Sequence, residues 1–165
     1  MKIVCIFAEV LYAFKFERKN ELDRLMSVWK DVRYLYDFAR LYDIDEKKDF
    51  VFSVLKDVEM LEDVIEGVAK GKSILDFFEP LKATEKYPKT LAFYKGKIKF
   101  NKLRLYAIRI EDCFVITGGA IKMSQKMHEH PLTRHELLKL EKCKAYLREQ
   151  GIITDLGFYE LIEGL

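Results

Sequence analysis

The sequence predicts an α+β domain, because strand-like and helix-like runs are segregated along the chain instead of alternating as βαβ units would. Strand character gathers at 2–7 and 11–16, then again at 97–110 and 113–122. Apolar residues at three- and four-residue steps fill the interval between these groups and return at 134–150. The expected architecture is one antiparallel sheet joining the strands of both groups, packed by the helices of the first half and by the closing helix. At 165 residues the chain can bury a core without disulfides or a structural metal, so a single domain over 1–165 is expected.

Each element has a local reason. KIVCIF and LYAFKF are short, apolar and β-prone, and together read as a first strand or hairpin. From Asn20, a natural N-cap, the pattern turns helical through Leu22, Leu25, Met26, Trp29, Val32, Leu35 and Phe38. Asp31 can open a second helix, which leaves one long helix or two short ones open. After the polar break at 43–48, Val51, Leu55, Val58, Leu61, Ile65 and Val68 describe another helix that ends before Gly71. Residues 73–78 can add a helical turn before Pro80, and 82–89, polar and containing Pro88, read as a connection.

KIKFNKLRLYAIRI and CFVITGGAIK are separated only by Glu111 and Asp112, which predicts a hairpin. Alternation puts Arg104, Tyr106, Ile108 and Ile110 on one face and Leu103, Leu105, Ala107 and Arg109 on the other, so both faces are mixed. Gly118 and Gly119 inside the second strand imply a bulge or a close backbone approach. Thr133 and Glu136 fit a capping box that opens a helix from about Arg134 to Gln150, with Gly151 as its terminator. The tail at 152–165 is apolar enough to dock on the body or on a partner.

Composition narrows the function. The chain is 50% hydrophobic and 34% charged, with three prolines and eight glycines, which excludes a disordered or collagen-like chain. No apolar run approaches the roughly 20 residues that span a bilayer, and the opening MKIVCIF lacks a small-residue cleavage site before Glu9. A cytoplasmic protein without membrane partners is expected. Cys5, Cys113 and Cys143 match neither a CxxC pair nor a disulfide framework and are expected to be reduced, mostly buried thiols.

The net charge of +2 conceals an asymmetry: residues 1–81 carry −4, 82–150 carry +9 and 151–165 carry −3. The positive excess includes Lys95, Lys97, Lys99, Lys102, Arg104 and Arg109, and continues at Lys122 and Lys126. Such a stretch suits a polyanion or an acidic partner, and equally a solvated lysine-rich hairpin that binds nothing. Walker A, GxGxxG, HExxH and GxSxG patterns are absent. His128, His130 and His135 cluster without a nearby cysteine, a poor match to a metal site. Ordinary loop and cap histidines are the favoured reading, with proton transfer by His128 or His130 the alternative.

The order of elements, with LRLYAIRI at 103–110, CFVITGGAIK at 113–122, KMSQK at 122–126 and the closing TRHELLKLEKCKAYL, resembles the RelE and HigB group of bacterial type II toxins. Arg104 and Tyr106 match an arginine and aromatic on one strand of that family. Lys122, Ser124, Gln125 and Lys126 match a basic run that follows the next strand. Met123 departs from the run, standing where the family has a second lysine, and the helical stretch at about 31–81 is an insertion relative to the compact family.

The resemblance implies a RelE-like fold and metal-free cleavage of messenger RNA, on the ribosome or off it, with a cognate antitoxin protein as partner and no cofactor. In that reaction the ribose 2′-oxygen attacks the adjacent phosphorus and the 5′-oxygen leaves. It implies charge stabilisation by Arg104 and Lys122 and proton transfer by His128 or His130. Gln125 and Lys126 would hold the RNA backbone, and the basic strand residues Lys97, Lys99 and Lys102 would attract it. Two other readings share the scaffold: a catalytically inactive binding module, and a ParE-like topoisomerase inhibitor.

Overall fold

The computed structural model describes residues 1–7, 10–73, 78–80, 94–110, 113–123, 131–152, 157 and 160–161. It is an α+β fold: among the described residues a six-stranded sheet runs in the order β1-β2-β6-β5-β4-β3, with helices α1–α3 on one face and α4 on the other. The elements are β1 (Lys2–Phe7), β2 (Leu11–Lys15), α1 (Glu21–Trp29), α2 (Val32–Leu41), α3 (Lys47–Ala69), β3 (Phe78–Pro80), β4 (Tyr94–Lys99), β5 (Leu103–Ile110), β6 (Cys113–Ile121) and α4 (Pro131–Glu149).

Local chemistry sets the helix boundaries. The Asn20 side chain accepts from the Asp23 amide at 3.0 Å to open α1, and Asp31 accepts from the Tyr34 amide at 3.1 Å to open α2. Two short helices therefore replace one long one. The turn at Asp31 lets Leu25, Trp29, Leu35 and Phe38 pack with Phe50, Val54, Val58 and Leu61 of α3 against one face of the sheet. On the opposite face, Leu140, Cys143 and Leu147 of α4 cover Tyr12, Phe14, Tyr106, Ile108 and Val115. Being covered on both faces explains why β5 and β6 read as near-continuous apolar runs. Gly151, at φ +70°, ends α4, and the Ile152 amide donates to the Leu147 carbonyl at 3.2 Å.

Four sequence expectations are corrected. The sheet is mixed, not wholly antiparallel: β2 runs parallel to β6, pairing Leu11 with Phe114 and Ala13 with Ile116. No hairpin joins these strands, so local sequence does not set their relative direction. The stretch at 97–110 is two strands, not one, folded at Asn101 into the β4–β5 hairpin. Helix α4 begins at Pro131, a residue suited to a first turn, so Thr133 lies within the helix and Glu136 has other partners. Phe78 belongs to a strand, not to a helical turn. The connection at 82–89 lies outside the described residues.

A buried carboxylate secures the β4–β5 turn. Asp57, 2% exposed within the apolar side of α3, accepts the Lys102 amide at 2.6 Å and the Leu103 amide at 3.1 Å. Nearby, the Asn101 side chain donates to the Ser53 hydroxyl at 3.0 Å. Truncation would strand both amides in a desolvated place. Asp57→Ala is expected to cost about 2–3 kcal/mol, and Asp57→Asn less because it keeps one acceptor. Urea unfolding of the three proteins measures the difference.

Candidate functional site

A cationic corner forms where β4, β5 and β6 end together. Lys99 is directly opposite Arg104 in the β4–β5 register, and Arg104 is opposite Ala120 in the β5–β6 register. The Lys122 amide then donates to the Lys102 carbonyl at 2.7 Å, bringing the chain after β6 alongside the turn. Paired residues of adjacent strands share a face. Lys99 and Arg104 therefore lie on the α4 side with Tyr106, while Ile98, Leu103 and Leu105 face α1–α3. Burial, followed by the charges of Arg104 and Lys99, holds the Lys122 ammonium below the ordinary lysine value. Like charges placed this closely oppose the fold, which makes their convergence informative about function.

Arg104 is a buried cation, not a surface one. It is 2% exposed, and its guanidinium donates to the carbonyls of Phe100, at 2.5 Å, and Leu103, at 2.9 Å. It acts from beneath the corner, tying the β4–β5 turn to the strand and adding charge under Lys99 and Lys122. Lys99 is exposed, Lys102 and Lys122 are half-buried, and Lys97 pairs with Tyr106 in the register. Gln125, Lys126, His128 and His130 lie outside the described residues. His135 is exposed on the first turns of α4.

Sequence reasoning missed a second constellation. Glu21, the first residue of α1, pairs with Arg24 and with Lys139 of α4. Lys139 also sits 2.8 Å from the Glu136 carboxylate, and Arg24 lies 3.8 Å from it. Two acids and two bases thus join the helices of opposite faces around the edge of β6. Glu21 and Glu136 are buried. Burial raises the Glu136 carboxyl above its ordinary value, with Lys139 opposing the shift, and the hydrogen bond to Glu21 raises Arg24. The Tyr106 hydroxyl, buried beside this group, has no hydrogen-bond partner among the described residues, and desolvation raises its pKa.

The Gly118–Gly119 pair makes this arrangement possible. A Cβ on Gly118 would run into the Glu136 carboxylate and come within 2.8 Å of Lys139. One on Gly119 would stand 2.7 Å from the Arg104 carbonyl oxygen and 2.8 Å from the Trp29 ring. The strand also bulges here: Tyr106 pairs with Gly118 but Ala107 with Ile116, leaving Thr117 extra. Phe114 and Ile116 face α1–α3 before the bulge, and Ile121 faces them after it. The glycines were the legible signal for close approach, but the helices that approach were not.

The buried thiols Cys113 and Cys143 are shielded, with burial pushing Cys143 up to about 12, whereas Cys5 is exposed. No helix among the described residues is long and apolar enough to cross a membrane. The chain matches no protein-family model, no curated protein and no solved structure.

Proposed function

We propose that the chain binds RNA through the Lys99, Lys102 and Lys122 corner and acts as a toxin-like endoribonuclease of a type II toxin and antitoxin pair. The observation that carries this reading is the convergence of cations from three adjacent strand ends, with the Lys122 ammonium held below its ordinary value by burial and like charge. A phosphate entering the corner relieves that repulsion. In the cleavage, the 2′-oxygen bonds to phosphorus as the bond to the 5′-oxygen breaks, giving a 2′,3′-cyclic phosphate and a 5′-hydroxyl. One proton leaves the 2′-hydroxyl for a base and another reaches the 5′-oxygen from an acid. Fixed cations stabilise the phosphorane between these events.

One observation favours the binding module as second reading: Arg104, the expected charge stabiliser, spends its guanidinium on backbone carbonyls. Induced expression in a bacterial host, with RNA ends mapped in parallel, separates the two. Growth arrest with new 5′-hydroxyl ends supports the nuclease, whereas RNA binding without new ends supports the module.

Lys122 supplies a pH test. Only its ammonium form attracts phosphate, and its pKa in the free protein lies below the usual lysine range. Affinity is therefore expected to hold at neutral pH and to fade on the alkaline side before an ordinary lysine would titrate. Lys122→Arg, always charged, should remove the fade. Lys122→Ala should weaken binding about tenfold and lower the salt slope by about 0.7 for one lost phosphate contact. An affinity indifferent to this position, measured by anisotropy across salt and pH, would remove the corner from the interface.

A further inference from the structure

A pocket of about 150 Å³ lies between α1, α2, the end of β6 and the start of α4. Its walls are aromatic: Trp29 stands against Gly119, and the Tyr34 and Phe38 rings sit 6.3 Å apart on successive turns of α2. Polar groups mark the rim, where Arg24, His135 and Glu136 come from two different helices. The volume is that of about five waters at about 30 Å³ each, the size class of one heterocyclic ring system. Ile121 lines the pocket and Lys122 follows it directly at the end of β6, so a strand that passes around this end of β6 would meet a base pocket and a cation in turn.

We infer that this pocket receives a single nucleobase of an RNA strand whose phosphate lies at Lys122. The inference rests on the RNA reading above and extends it from the backbone to a base. A flat ring with hydrogen-bonding edges matches aromatic walls rimmed by an arginine, a histidine and a carboxylate. An aliphatic side chain would offer nothing to the exposed His135 at the rim, and a bare phosphate would leave the aromatic walls unused. Tyr34 is 40% exposed, so its ring is reachable from solvent. Lys122 attracts any polyanion; the pocket requires a base.

The test uses the full chain and a short single-stranded 2′-O-methyl RNA, which lacks the nucleophilic hydroxyl and cannot be cleaved by the proposed route. An abasic oligonucleotide of the same length and charge is the control. Wild type is expected to bind the base-containing strand about tenfold more tightly. Tyr34→Leu should abolish that difference, Tyr34→Phe should retain it, and Lys122→Ala should weaken both strands alike. Equal affinity of wild type for both strands, still dependent on Lys122, would overturn the pocket and leave the RNA surface standing. Binding of neither strand would overturn both.

Discussion

Glu21→Ala is expected to destabilise the protein by about 3–5 kcal/mol, the usual cost of removing one partner from a buried ion pair. Glu21 is 2% exposed and holds both Arg24 and Lys139, so its loss leaves Glu136 as the one acid shared by two cations in a desolvated cluster. A domain of this size loses about 3 °C of melting temperature per kcal/mol, so a fall of about 10–15 °C is expected. The paired replacement Glu21→Met with Lys139→Met removes both charges and keeps most of the volume. It should be far less damaging than either single change. Calorimetry on the two single variants and the pair gives the coupling directly; additive losses would mean that the acid and the lysine act independently.

Arg104→Ala should cost about 2–4 kcal/mol, because it empties core volume and takes the guanidinium donor from the Phe100 carbonyl, leaving the Leu103 carbonyl only the Phe100 amide. This reverses the expectation for a strand-surface arginine, whose removal would leave the fold intact. Arg104→Met fills the space better and should be milder, which makes it the cleaner probe of charge. Without the guanidinium beneath it, Lys122 should titrate closer to an ordinary lysine, and the alkaline fade in RNA affinity should move up in pH. Urea unfolding and the pH profile of the Arg104→Met protein test the two roles separately. An unshifted profile in a folded variant would show that Arg104 shapes the turn without setting the field at Lys122.

The local elements were legible because their signals are local. Asn20 and Asp31 cap helices through side chains that reach only three residues ahead, and Gly151 ends α4 through its own backbone freedom. Strand alternation correctly separated Arg104, Tyr106 and Ile108 from Leu103, Leu105 and Ala107. The same reasoning could not show that both sets are buried, because burial of the second face depends on a helix that begins more than twenty residues later. It also missed the turn at Asn101, which is held by Asp57 from a distant helix.

By itself the sequence determined the α+β class, the caps of α1 and α2 and the end of α4, the two faces of β5 and the basic character of the segment that ends at Lys122. Tertiary structure alone decided the parallel pairing of β2 with β6, since no connection of hairpin length constrains that direction. It alone decided that Arg104 turns inward while Lys99, its cross-strand partner, remains in solvent. It alone joined Glu21 to Lys139 across 118 positions of chain. A charge in a sequence carries a sign and a spacing, whereas its role depends on the dielectric and the partners that folding assembles around it.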